Sequence, residues 1–180
     1  MIRSGRFIFF AVAALNAASV AGAQPMETPP SPENCTAPAD LPPSLAGWTT
    51  PSPLKAASGE EDLAESMLVL GEAADLTLHP TPEVKYLIRP EQPGGSVSYG
   101  GIAGFTVEEP GAYRVGLETA AWIDVVRGGV AATSVAHGHG PDCSGIRKML
   151  SFELEPGSYV LQVAGNGKPR VRILVAAAEQ

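Results

Sequence analysis

Apolar and polar positions alternate with a period of two through the C-terminal half of this chain. Tyr113, Val115 and Leu117 share one face, with Arg114 and Glu118 on the other. Ala121, Ile123 and Val125 oppose Trp122, Asp124 and Val126. Leu150, Phe152 and Leu154 alternate with Ser151 and Glu153. Tyr159, Leu161 and Val163 repeat the pattern, as do Val171, Ile173 and Val175 with Arg170 and Arg172 outward. A period of two puts successive side chains on opposite faces of a strand, so each run predicts a half-buried strand. Earlier in the chain Met67–Leu70, Ala73–Leu78, Val84–Ile88 and Val97–Val107 read as further short strands. Gly71, Pro80, Pro82, Pro90 and the 92–95 run Gln-Pro-Gly-Gly separate them. Gly100, Gly101 and Gly104 suggest a bulge or bend.

About nine short strands joined by Gly/Pro turns predict an all-β fold, an antiparallel β-sandwich of jelly-roll-like topology. The only helical signal is 55–66, where Ser58 is a candidate N-cap ahead of Glu60, Glu61 and Asp62. Phe105-Thr-Val-Glu-Glu-Pro-Gly-Ala-Tyr113 echoes Phe152-Glu-Leu-Glu-Pro-Gly-Ser-Tyr159 with one residue of slippage. The echo is expected from two similar hairpins, each Pro-Gly pair suiting a type II turn.

The N-terminal third breaks the pattern. Residues 1–23 read as an export signal: Arg3 and Arg6, then an apolar run from Phe7 to Val20, then Ala21-Gly-Ala23 for cleavage before Gln24. The apolar run is short and interrupted for a membrane span. Nine of the 17 prolines lie between Pro25 and Pro53. Proline fixes φ and removes a donor, so 24–55 is expected to be an extended strap on a sandwich domain of 56–180, with Trp48 buried against it. The chain without its signal is expected in the periplasm or secreted.

Charge and cysteines narrow the function. The chain carries 12 basic and 19 acidic residues, a balance that argues against nucleic acid or an anionic membrane surface as partner. Cys35 and Cys143 are the only cysteines. In an oxidising compartment they are expected to pair, closing a loop of roughly 110 residues worth about 4–5 kcal/mol in the chain-entropy model. The alternative, a thiolate ligand or nucleophile at Cys143, is excluded if they do.

The chemistry concentrates in the run from His137 to Lys148. His137 and His139 leave the same face of an extended strand, with Asp142 close by. That is a metal-ligand spacing suited to copper, zinc or iron, set against the alternative of solvated loop histidines. His79, before Pro80, reads as a strand-end cap. Trp122, Asp124, Arg147 and Lys148 form a candidate binding surface. The competing reading pairs Asp124 with Arg147 or Lys148 for stability alone. Tyr86, Tyr99 and Trp122 suggest an aromatic platform for a glycan or peptide, or simple packing. The chain has no Gly-x-Ser-x-Gly elbow, phosphate loop or dinucleotide fingerprint, so no catalytic residue is assigned.

Two resemblances bear on these expectations. Leu68-Val-Leu-Gly-Glu, Phe105-Thr-Val-Glu-Glu-Pro-Gly-Ala-Tyr-Arg-Val and Leu154-Glu-Pro-Gly-Ser-Tyr-Val-Leu resemble the bacterial pre-peptidase C-terminal domains. Those imply an exported accessory or binding module without an active site. Ala121-Trp-Ile-Asp-Val-Val with His137-Gly-His-Gly-Pro-Asp-Cys-Ser-Gly-Ile-Arg-Lys148 resembles a group of small exported bacterial proteins that carry the name homogentisate 1,2-dioxygenase. That name implies an iron-dependent oxygenase with His137 and His139 as its histidine pair. The long dioxygenases of that name add a glutamate ligand, and this chain has no His-x(5)-Glu stretch to supply it. Three readings follow: a non-catalytic binding or envelope-accessory module for a protein, peptide or glycan; a periplasmic metal-binding protein; and a small metal-dependent oxygenase.

Overall fold

The computed structural model describes Cys35 and residues 39–179; the expected export signal, residues 1–23, and most of the first proline cluster lie outside the described residues. Eleven strands form among those described: β1 (Gly47–Lys55), β2 (Glu72–Thr77), β3 (His79–Pro80), β4 (Tyr99–Val107), β5 (Gly111–Leu117), β6 (Trp122–Arg127), β7 (Val130–Ala131), β8 (Ser134–Gly138), β9 (Lys148–Leu154), β10 (Gly157–Asn166) and β11 (Arg170–Ala177). They build two sheets. The first has six strands in the order β1-β2-β11-β5-β9-β8, the second five in the order β3-β4-β10-β6-β7. Every pair is antiparallel except β1–β2. The chain is an all-β sandwich.

The expected alternation sets the core. Val115, Leu117, Val171, Ile173 and Val175 of the first sheet face Phe105, Val125, Leu161 and Val163 of the second, all at 0% exposure. Phe105 and Tyr159 stack at 5.5 Å between ring centroids.

Glu109-Pro-Gly-Ala-Tyr113 and Glu155-Pro-Gly-Ser-Tyr159 explain the sequence echo, and correct its reading as two hairpins. β4 and β5 belong to different sheets, and so do β9 and β10. Each Pro-Gly segment is therefore an arch carrying the chain over the sandwich rim. Tyr113 donates its hydroxyl to Glu109 O at 2.8 Å, and Tyr159 to Glu155 O at 2.9 Å. A buried tyrosine tied four residues back holds the corner of such an arch. Gly111 and Gly157 sit at φ 155° and 146°. These positive values favour glycine, though they are not the angle of a type II turn.

Other expectations change. Proline is tolerated on a sheet edge, where the missing donor would face solvent. Residues 47–55, with Pro51 and Pro53, accordingly form edge strand β1 rather than only a strap. Met67–Leu70 makes only a single bridge, Met67 to Gly104. Val84–Ile88 forms no strand; the amides of Leu87 and Ile88 are taken by the Gln162 side chain instead of a ladder. The stretch from Val130 divides into β7 and β8, which sit in opposite sheets. The helical segment is the 3-10 helix Glu60–Glu65, which starts from Gly59 with no side-chain cap, and Ser58 Oγ donates to Asp62 Oδ2 at 3.2 Å instead.

Candidate functional site

Segments from elsewhere in the chain cover the outer face of each sheet, and the candidate residues lie in those covers or on the strands beside them. On the first sheet Leu45, Trp48 and Ile146 pack on Ala73, Leu174 and Ala176. Trp48 Nε1 donates to Ser144 O at 2.8 Å, and the Arg172 guanidinium lies 5.8 Å from the indole ring. Trp48 is thus a packing residue. Cys35 and Cys143 are bonded, with Cα atoms 5.5 Å apart, so neither sulfur is a thiolate ligand or nucleophile. Cys143 adopts φ 60°, a left-handed conformation that costs about 1–2 kcal/mol in a non-glycine residue.

The two histidines sit at and just beyond the end of β8. β8 ends at Gly138, with His137 exposed on the strand and His139 exposed beyond it. His139 Nδ1 lies 2.6 Å from Arg147 O; since a carbonyl only accepts, that nitrogen is the donor and is committed. Asp142 is exposed in the next turn. Among the described residues no three His, Cys, Asp or Glu side chains stand together as ligands, so His137, His139 and Asp142 are not gathered into a ligand set. His79 Nε2 donates to Ala56 O at 2.8 Å.

Trp122, Asp124 and Lys148 do come together, at one end of the sandwich. Trp122 and Asp124 alternate outward on β6, and Trp122 Nε1 donates to Asp124 Oδ1 at 3.0 Å. Lys148 shares the inward phase of Leu150 and Phe152 on β9. From the rim its ammonium reaches Ala121 O at 2.9 Å and lies 5.5 Å from the Trp122 ring centroid. Arg147, one residue earlier, takes the opposite phase and is exposed. The three ion pairs among the described residues are Lys85–Glu61, Arg170–Asp75 and Arg172–Asp75, so the expected pairing of Asp124 with Arg147 or Lys148 is not among them. The physical reason is the strand phase of Arg147 and the carbonyl that engages Lys148.

Gln162, which the sequence does not single out, organises this cluster. Its place on β10 reads as solvent-facing, yet it is fully buried, with the Leu87–Ile88 backbone lying against it. Oε1 accepts from Leu87 N at 2.6 Å and Ile88 N at 3.2 Å. Nε2 donates to Ile88 O at 3.2 Å and Asp124 Oδ2 at 3.4 Å. Burial pushes the Asp124 carboxyl above its ordinary range, opposed by the bonds from Trp122 and Gln162. Burial lowers the Lys148 ammonium.

The same cover contains Tyr86. Its hydroxyl donates to Val163 O at 3.1 Å, and burial pushes the phenol up to about 12. A Cβ at Gly100 would meet that hydroxyl, so glycine there lets the ring close down. Tyr86 is thus tied inward, and one face of Trp122 lies under Lys148. The polar atoms of the cluster hold one another and the backbone.

No protein-family model and no curated protein matches the chain.

Proposed function

We propose that the chain is an exported, non-catalytic accessory module that binds a protein or peptide partner by adding a strand to the edge of its first sheet. The observation that carries this is β8, whose residues Ser134–Gly138 are all exposed. An open edge presents unpaired backbone groups and is usually blunted by proline, charge or shortness. Of the four sheet edges among the described residues, β1 holds Pro51 and Pro53, and β3 and β7 are two residues long. β8, with Ser134-Val-Ala-His-Gly138, has neither proline nor a permanently charged side chain, and Val135 is 59% exposed. Backbone pairing supplies the affinity in such recognition and alternate side chains the specificity. The disulfide fits an oxidising compartment.

Hydrogen–deuterium exchange on residues 24–180, with and without an envelope fraction of the source cells, tests the reading. Slowed exchange confined to Ser134–Gly138, abolished by Val135→Lys with His137→Lys, is the expected result. Unchanged β8 exchange with a captured partner, or substrate turnover that His137→Ala abolishes, would overturn it.

A further inference from the structure

The outer face of the second sheet carries a groove of about 480 Å3, within the size range of small-molecule sites. Its floor includes the cross-strand row Gly104–Val160–Val126, one row along from Ile102–Gln162–Asp124 on the same face. Leu63 and Met67 wall one side, and Leu87 adds apolar surface from the loop pinned by Gln162. Met67 remains 43% exposed. A Cβ at Gly104 would stand 2.5 Å from Met67 Sδ, so this glycine lets the Met67 side chain approach the floor.

Arg127 supplies the charge. It lines the groove at the turn into Gly128-Gly129 and has no carboxylate partner among the described residues. Its Nη1 donates to the Tyr159 hydroxyl at 3.2 Å, and the guanidinium lies 5.4 Å from that ring's centroid. Tyr159 is itself held by the Glu155 arch. A Cβ at Gly157 would sit 2.8 Å from Arg127 Nη2, so the absent side chain leaves room for the guanidinium. The head group is held in advance on a buried support, which lowers the ordering cost of binding. A guanidinium so placed matches a carboxylate. Glu60, also lining the groove, opposes a second negative group.

We propose that this groove binds a small amphipathic monocarboxylate, its apolar body on the Gly104–Val160–Val126 row and its carboxylate on Arg127. The site is separate from the β8 edge and does not rest on the strand-addition reading. Decanoate, kept below its micelle concentration and titrated calorimetrically, is the probe, with decyltrimethylammonium as its cationic counterpart. Decanoate is expected to bind residues 24–180 with amide shifts centred on Gly128 and Gly129, and the ammonium to bind at least ~10-fold more weakly. Arg127→Gln is expected to weaken decanoate ~10-fold or more. Val160→Trp, filling the groove, is expected to abolish binding while near-ultraviolet dichroism shows the fold retained. If Arg127→Gln fails to fold, the amide shifts and the head-group preference of the unaltered protein decide. No decanoate binding, equal binding of the two amphiphiles, or decanoate binding that survives Val160→Trp would overturn the proposal.

Discussion

The two sheets share one core, but their outer covers are built from different physics. Over the first sheet the cover is apolar and covalently stapled: Leu45 at 1%, Trp48 at 4% and Ile146 at 4% exposure close on Ala73, Leu174 and Ala176, beside the Cys35–Cys143 bond. Over the second sheet much of the cover is held by directional bonds that Gln162, Ser66 and Tyr86 make between cover and sheet. Apolar burial is non-directional and rewards complete coverage. A few hydrogen bonds pin a loop at points and leave open surface between them. The groove and Arg127, which has no carboxylate partner among the described residues, lie in that second cover, so polar attachment is what leaves this surface open.

The largest break in this comparison is the staple. Replacing Cys35 and Cys143 together with alanine releases a loop with a sequence separation of 108, and a loss of about 4–5 kcal/mol is expected from the chain-entropy model. Urea denaturation measures it, and exchange should quicken over Leu41–Trp48 more than over Val84–Ile88. Next come two truncations, one in each cover. Trp48→Ala should cost about 3–5 kcal/mol through the cavity it leaves. Gln162→Ala should cost about 1–3 kcal/mol through the unpaired amides of Leu87 and Ile88. Equal losses, or a larger loss for Gln162→Ala, would show that the covers are not so divided.

The smallest effect is a pH slope. The folded Asp124 carboxyl is raised above its ordinary value, chiefly by burial. The folded state therefore holds this proton more tightly than the unfolded one, and the group's contribution to stability is greatest below the unfolded value and lost as pH rises through the folded one. Relative to Asp124→Asn, the unaltered protein should gain stability as pH falls from neutrality through that window. Parallel melting profiles of the two proteins would remove the partly buried Asp124 carboxyl as a source of pH-dependent stability. Asp75 has the opposite sign: the Arg172 hydrogen bond lowers its carboxyl, so its contribution fades as pH falls.

Much of the architecture was legible because alternation is a local property. Each of the C-terminal runs that place Val115, Ile123, Phe152, Leu161 and Ile173 inward needs only its own residues to declare the buried face. The pairing of Cys35 with Cys143 was legible too, since the chain holds only two cysteines. The Glu-Pro-Gly-x-Tyr repeat was visible as a string, but not as an arch, because sheet membership depends on strands far away in sequence.

Sequence by itself determined the inward and outward phase of the strands, the turn positions and the choice of cysteine partners, all set by chirality, side-chain period and composition. Only the tertiary structure decided that Gln162 is buried, that Lys148 lies beside Trp122 rather than pairing with Asp124, and that Arg127 rests on Tyr159 at the edge of a groove. Outward-facing residues carry no local mark of what will lie over them. Their burial and charge state come from loops that arrive from elsewhere in the chain, and so do the surfaces those loops leave open.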